Sequence, residues 1–313
     1  MGWQGADCAV LIVSSRIRRR IFRQLGLISA ALCLTGCAFN TNPLAEHREF
    51  LREHVNNNPG IDANHLHNAG FSLHYKTRGN AEKGILLWIH GTPGSWSDIG
   101  KLFVNDNFLS QVKLVSIDRP GWGESQYEAM PRLVTDFDEI SNLLKPLLQH
   151  LRTQYPKVPI IVGGHSWGGS VVPAVAMNNT ELVSGILTTA AGLDPELAGP
   201  RWYNRLANNG IVSRIIGDDL HAANQEIYAL PEQLRLQARR LPGLSLPVIV
   251  IHGMSDSLVD PRNSDFAERL IGSEKLKVVR LPKQGHLLQI EQTDLIASCV
   301  FAVISNRLSA CAR

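Results

Sequence analysis

The chain has 313 residues, 44% of them hydrophobic and 19% charged, a globular composition that excludes a disordered or collagen-like chain. Its formal net charge is +3, but five Arg and a single Asp lie within residues 1–36, so the remainder is close to neutral. We therefore expect no nucleic-acid partner, because such proteins usually carry a basic patch.

The N-terminus follows the order of a secretory signal peptide. A basic cluster, Arg16–Arg23, precedes the ten-residue apolar run Leu25–Leu34. This run is too short to span a bilayer, which takes about 20 apolar residues. Thr35-Gly36-Cys37 follows at the position of a cleavage site, so residues 1–36 are predicted to be a signal peptide.

Leu34-Thr35-Gly36-Cys37 resembles the lipobox of bacterial lipoproteins. The resemblance implies that Cys37 is acylated, becomes the first mature residue and anchors the protein to a membrane through several acyl chains. Ala38 follows, not an aspartate, which by the same resemblance implies the periplasmic face of the outer membrane in the cell envelope. The alternative is an ordinary signal peptide or signal anchor with an unrelated cysteine.

Two cysteines of the predicted mature chain, Cys299 and Cys311, have an open role. In an oxidising compartment they could form a disulfide that ties down the C-terminal tail. Equally, Cys299 could be a buried thiol on the last helix.

From residue 71 onwards, apolar runs alternate with amphipathic stretches, whereas the polar, Asn-rich residues 37–70 are predicted to form a tether or N-terminal helix. This alternation predicts a mostly parallel sheet with helices on both faces. The predicted strands are Phe71–Thr77 (an edge strand), Ile85–Ile89, Val112–Ile117, Val158–Val162, Val183–Thr189, Pro247–Ile251 and Lys277–Leu281. The predicted helices are Leu133–Tyr155, Val171–Met177, Arg262–Ile271 and Glu291–Leu308.

Residues 192–246 interrupt this alternation, since no strand is predicted there. Three helical pieces are predicted instead, at Pro195–Asn208, Asp218–Glu226 and Pro231–Arg240. We therefore expect a helical cap inserted into one core formed by residues 71–191 and 247–308. In such sheets the ligand site lies beyond the carboxyl ends of the strands, where each motif below falls.

Gly164-His165-Ser166-Trp167-Gly168 lies between a predicted buried strand and a predicted helix. It matches G-x-S-x-G, the pattern of a nucleophile elbow, in which the serine occupies a sharp and strained turn. Glycines are needed two positions before and after the serine, because side chains there would collide with neighbouring backbone. Ser166 is the candidate nucleophile, and as an alcohol it needs an adjacent base.

The order of motifs over residues 71–308 resembles that of the α/β-hydrolase family. The resemblance implies an α/β-hydrolase fold with a small helical cap insertion and a serine, acid and histidine in that chain order. It assigns His286, in the loop after the last strand, as the base and Asp256, after the preceding strand, as the acid that orients it. Asp194 and Asp260 remain competitors for the acid, and Asp260 could instead cap the following helix.

The family resemblance also implies an oxyanion hole made of two backbone N–H groups. One belongs to Trp167, the residue after the candidate nucleophile. The other is assigned to Thr92, which follows His90-Gly91 beyond a buried strand, because Pro93 has no N–H. The segment Asp118–Ser125 resembles the D-x-x-G-x-G-x-S loop of the family, for which a structural role is implied.

Haloalkane dehalogenases and epoxide hydrolases of this fold carry an aspartate at the elbow, whereas this chain has Ser166. The resemblance therefore implies a serine hydrolase that cleaves a carboxylic ester of a small or lipid-like acyl substrate through an acyl-enzyme. Aminopeptidase, amidase, carbon–carbon-bond hydrolase and acyltransferase activities stay open, as does a non-catalytic lipoprotein scaffold. No metal-ligand spacing or phosphate loop is found, so no metal or cofactor is expected.

Overall fold

The computed structural model describes residues 43–209, 212 and 216–311. The sheet and the site described below belong to the compact unit His47–Arg313. The predicted signal peptide and Cys37 lie outside the described residues, so lipidation and membrane attachment stay predictions. Within the described part, no helix has the length and apolar character needed to cross a membrane.

The described residues contain one nine-stranded sheet. In chain order its strands are β1 (Asp62–Asn68), β2 (Phe71–Arg78), β3 (Gly84–Ile89), β4 (Val112–Ile117), β5 (Gln126–Tyr127), β6 (Ile160–His165), β7 (Gly185–Thr189), β8 (Val248–Gly253) and β9 (Leu276–Leu281). Across the sheet the order is β1-β2-β4-β3-β6-β7-β8-β9, with β5 paired to β2. The strands from β4 to β9 along this order are parallel, whereas β2 pairs antiparallel with β1, β4 and β5. The predicted mostly parallel sheet is confirmed.

Helices cover both faces of the sheet, as predicted. The helices of the described residues are α1 (Pro43–Phe50, continued by a π-helical turn Leu51–Val55), α2 (Asp106–Leu109), α3 (Phe137–Gln154), α4 (Ser166–Asn178), α5 (Trp202–Ala207), α6 (Asp218–Ala238), α7 (Asn263–Leu270), α8 (Leu288–Glu291) and α9 (Thr293–Ile304). Short 3₁₀ segments lie at Trp96–Val104, Leu241–Gly243 and Leu308–Ala310.

Successive side chains of a strand point to opposite faces, so β3 contributes to two cores. Ile85 and Leu87 pack with α3 and α4 on one face, whereas Leu86 and Trp88 pack with α9 on the other.

The first edge of the sheet differs from the sequence prediction. Residues 62–68, assigned to the tether, form the outermost strand β1, and β2 is therefore an inner strand and not the predicted edge. Strand β1 reads Asp-Ala-Asn-His-Leu-His-Asn and keeps five of its seven side chains exposed. It lacks the apolar alternation by which strands are predicted, because it buries so little surface and is held mainly by backbone pairing with β2.

Between β7 and β8 the described residues form helices and a 3₁₀ turn, with no strand. The two pieces predicted on either side of Pro231 are one continuous helix, α6. Leu230 and Leu234 flank the proline and are buried in the core. We attribute the unbroken helix to this packing, which compensates for the hydrogen bond that a proline removes. The division of the chain into core and cap domains stays a prediction.

Cys299 of α9 and Cys311 form a disulfide, and both residues are fully buried. The sequence left open whether Cys299 is disulfide-bonded or a free buried thiol, and in the structure it is disulfide-bonded. The disulfide fastens the C-terminal segment to the face of the sheet that α9 covers.

We predict that Cys299→Ala and Cys311→Ala each lower the free energy of unfolding by about 3 kcal/mol, the loop-closure value for a link of this size. The double variant should lose little more than either single variant, because one covalent bond is broken in all three. Urea unfolding measures this, with reduced wild type as the control. Strictly additive losses, or no effect of reductant on the wild type, would contradict the prediction.

Candidate active site

The turn from β6 into α4 holds Ser166 in a rare backbone conformation. Its φ is +53°, in the left-handed region that disfavours residues with a Cβ. A Cβ added at Gly164 would lie 2.9 Å from the backbone of Gly168, and one added at Gly168 would overlap the carbonyl oxygens of Ile89 and His90. The crowding predicted for the elbow is therefore present at both glycines. It brings the N-terminus of α4 against the carboxyl end of β3.

Three of the predicted site residues lie in one hydrogen-bonded chain. The Nε2 atom of His286 lies 3.0 Å from Oγ of Ser166, and its Nδ1 atom lies 2.7 Å from Oδ2 of Asp256. These residues follow β9, β6 and β8, so they meet at the carboxyl edge of the sheet.

The two competing carboxylates are engaged elsewhere. Asp194 pairs with Arg269 at 3.3 Å, and Asp260 accepts hydrogen bonds from the backbone N–H and guanidinium of Arg262. The structure therefore brings Asp256 to the imidazole of His286 and neither of the other two.

The Asp256 carboxylate is held ionised. Its burial alone would raise its pKa, but hydrogen bonds from His252 and His286 outweigh this effect and lower the pKa below its usual value. The N–H groups of Leu258 and Val259 also donate to Oδ1 at 2.8 and 2.9 Å. An ionised carboxylate can only accept, so Nδ1 of His286 must be the donor and Nε2 faces Ser166 as an acceptor.

Burial lowers the pKa of His286 below its usual value of 6.5, and the Asp256 carboxylate opposes this shift. The nearby His165 and His252 lower it further. The neutral imidazole that a general base requires is thus favoured at pH values near neutrality. Nε2–H of His165 also donates to the His286 carbonyl oxygen at 2.9 Å, which fixes the loop that carries the base.

The two predicted oxyanion donors have no competing acceptor. Among the described residues, the backbone N–H groups of Thr92 and Trp167 donate to no protein atom. Trp167 occupies the first turn of α4, and Thr92 precedes Pro93 through a cis peptide bond. Both groups are therefore free to donate to a ligand.

A buried ion pair contacts both the turn that carries Thr92 and the ring of Trp167. The guanidinium of Arg119 contacts both carboxylate oxygens of Glu226 at 2.5 and 3.0 Å, and both side chains are fully buried. Nε1–H of Trp122 donates to the same carboxylate at 2.9 Å, and the ring of Trp167 lies 4.3 Å from the guanidinium carbon. Arg119 also donates to the Gly91 carbonyl at 3.1 Å, so α6 is linked to the turn that carries Thr92.

The sequence that builds this site also matches a known protein family. Residues 86–298 match the model of the Alpha/beta hydrolase family. The chain is an α/β hydrolase.

Two curated relatives differ in how much of them this α/β hydrolase covers. Monoglyceride lipase from Mus musculus is 24% identical over 81% of this chain and 94% of its own length. Epoxide hydrolase 1 from Caenorhabditis elegans is 28% identical over 50% of this chain but only 37% of its own length. A solved structure of a hydrolase from Pseudomonas aeruginosa superposes with a TM-score of 0.60 at 16% identity, over 79% of this chain and 99% of that one. This last likeness concerns the fold alone.

Sequence reasoning missed several supporting side chains of this α/β hydrolase. His252 is the penultimate residue of β8, four residues before Asp256, and lies 3.5 Å from its carboxylate, so its position in the chain could have indicated the contact. Asp98 lies 3.6 Å from His165 and accepts from Gln289, and these contacts lower its pKa to about 2 although burial opposes the shift. No local pattern marks Asp98 or the partnership of Arg119 with Glu226, because their contacts span long stretches of chain.

We predict that Gly168→Ala destabilises the protein by about 3 kcal/mol or more, because the added Cβ meets backbone oxygens that cannot rotate away. Gly243→Ala is the matched control, since a Cβ there meets nothing within 4 Å. Thermal and urea unfolding of both variants measure the difference. Equal stability of the two variants would show that the turn is looser than its geometry implies.

Proposed function

We propose that this α/β hydrolase is a serine hydrolase that cleaves a carboxylic ester through an acyl-enzyme. One observation carries the proposal, namely the chain of hydrogen bonds from Ser166 through His286 to Asp256 on a strained elbow. Such an arrangement activates an alcohol that is otherwise a weak nucleophile.

In this mechanism the imidazole Nε2 of His286 takes the proton of Ser166 as Oγ attacks the carbonyl carbon. Asp256 stabilises the imidazolium that results, and the N–H groups of Thr92 and Trp167 stabilise the oxyanion. Collapse of the tetrahedral intermediate expels the alcohol, which receives its proton from His286. Water, deprotonated by the same imidazole, then releases the acid and regenerates Ser166.

The identity of the nucleophile favours ester chemistry over epoxide or haloalkane chemistry. The family resemblance implies an aspartate at the elbow for the latter two, and this chain has Ser166. Monoglyceride lipase, the relative that is matched over 94% of its length, is named for the cleavage of carboxylic esters. A small-molecule or lipid-like acyl ester is therefore the proposed substrate class.

The aminopeptidase alternative has less support. An aminopeptidase requires an accessible acidic side chain to receive the substrate amine, and Glu226 is the acidic residue of α6 that contacts the elbow, through its carbonyl and Nε1 of Trp167. Its carboxylate is fully buried and already pairs with Arg119, so it has no free charge to offer.

We also propose that the chain acts in an oxidising compartment of the cell envelope, anchored through Cys37. Two features support this location: the lipobox-like Leu34-Thr35-Gly36-Cys37 and the buried disulfide between Cys299 and Cys311, a bond that is rare in reducing compartments.

We predict that Ser166→Ala lowers kcat for p-nitrophenyl butyrate by about 10⁴-fold or more and abolishes labelling by a fluorophosphonate. Ser170→Ala is the matched control, because this serine lies one turn further along α4 and its hydroxyl donates to the Ser166 carbonyl, not to the imidazole. It should keep both turnover and labelling. Turnover that survives in Ser166→Ala would refute the serine mechanism, and absence of labelling in the wild type would favour a non-catalytic scaffold.

The pH dependence tests the role of the imidazole. Since burial lowers the pKa of His286, kcat/KM should fall only as the pH drops through a midpoint below 6.5. Asp256→Asn removes the carboxylate that raises this pKa, so its midpoint should move to lower pH while kcat falls by about 10⁴-fold. A pH–rate profile of both proteins measures this. A midpoint that moves upward in the variant is the opposite of what the geometry requires.

A further inference from the structure

Two histidines face each other across the antiparallel strands at the first edge of the sheet. His65 of β1 pairs directly with His74 of β2 in the strand register, so their side chains lie on one face. Their ring centroids are 4.9 Å apart. Neither residue belongs to the chain of hydrogen bonds at Ser166.

The imidazole of His74 is fixed in one orientation. It is buried, and its Nδ1 atom lies 2.8 Å from Oδ2 of Asp118. Both oxygens of this carboxylate also accept backbone hydrogen bonds, Oδ1 from the N–H of Trp96 at 2.9 Å and Oδ2 from the N–H of Glu124 at 3.2 Å. An ionised Asp118 only accepts, so Nδ1–H of His74 donates to it and Nε2 points the other way. This carboxylate–histidine arrangement is the outer-sphere support that metal-ligating histidines usually have.

Glu124 completes the group from the loop after β4. Its carboxylate oxygens lie 3.5 Å from Nε2 of His65 and 3.9 Å from Nε2 of His74. One donor atom from each of the three residues falls within 4.8 Å of the others. Bonds of 2.0–2.1 Å meeting at a tetrahedral angle separate donor atoms by about 3.3 Å, so small movements of the two exposed side chains, His65 and Glu124, suffice to close the site.

The loop that contains Glu124 is also hydrogen-bonded to β2, the strand that contains His74. The backbone N–H of His74 donates to Oγ of Ser125 at 2.8 Å, and its carbonyl accepts from the N–H of Asp118 at 3.0 Å. The backbone segments that carry two of the three donors are therefore held together by the fold itself. The third donor, His65, lies on the exposed outer strand β1, which pairs with β2 alone among the described strands.

We propose that His65, His74 and Glu124 form a binding site for a divalent transition-metal ion of the zinc type. Two imidazoles and a carboxylate are ligands that Zn²⁺ favours, with water in the remaining position. The bound ion joins the outer strand β1 to the loop Asp118–Ser125. It therefore stabilises the edge of the sheet, because it binds the folded chain and not the unfolded one.

Zinc titration of the full chain, stripped of metal by a chelator, tests this proposal by calorimetry and thermal unfolding. The wild type should bind one Zn²⁺ at this site and unfold at a higher temperature with zinc than without it. His65→Ala and Glu124→Ala should lose that binding event and the rise in Tm. Cobalt provides a second readout, because Co²⁺ bound by imidazole and carboxylate has visible absorption without the thiolate charge-transfer band that cysteine ligands would add.

His67→Ala is the matched control. His67 lies two residues along β1 with an exposed side chain that pairs with Glu128, and it is not one of the three donors. This variant should bind zinc as the wild type does. The proposal is overturned if the wild type gains no stability from zinc, in which case His65 and Glu124 form an ordinary surface pair. It is also overturned if His65→Ala and His67→Ala change zinc binding equally.

Discussion

The close approach of helix α4 to the end of strand β3 is the constraint on which the site depends. Gly168 packs against the carbonyl oxygens of Ile89 and His90 where no Cβ fits, and Gly164 packs equally closely against Gly168. This crowding forces the strand-to-helix turn to be so tight that Ser166 takes a φ of +53°. That conformation is unfavourable by about 1–3 kcal/mol, and the packing of α4 in the core offsets this free energy. In this backbone conformation the Ser166 hydroxyl lies within hydrogen-bonding distance of the His286 imidazole.

A second interaction links the helices between β7 and β8 to this elbow. Transfer of Arg119 and Glu226 into the interior costs several kcal/mol per ion, which their mutual attraction offsets only when hydrogen bonds satisfy the remaining groups. Here Trp122 donates to the carboxylate and the Gly91 carbonyl accepts from the guanidinium. The pair therefore fixes α6 relative to the turn that carries Thr92, a specificity that an apolar contact would lack.

Histidines outside the predicted catalytic chain have supporting roles that depend on their partners. His252 lies 3.5 Å from the Asp256 carboxylate and helps to hold its pKa low, whereas His165 lies between Asp98 and the carbonyl of His286. His74 is held by Asp118 in the loop that the family resemblance assigned a structural role. The same residue type thus orients an acid, fixes a loop and offers a metal donor, because each imidazole takes its tautomer from the carboxylate or carbonyl beside it.

The sequence by itself determined the central strands and the elbow. A buried parallel strand such as β3 needs a continuous apolar run. The steric requirement of the nucleophile elbow is met within the five residues of G-x-S-x-G, so both features can be predicted from local sequence. Tertiary structure alone decided that Asp256, and neither Asp194 nor Asp260, meets His286, that the polar β1 joins the sheet, and that α6 continues through Pro231. It also brought Arg119 to Glu226, 107 positions apart, and His65 to Glu124. Local sequence patterns reflect burial and the steric limits between residues that are close in the chain, whereas these contacts form only when distant elements pack together.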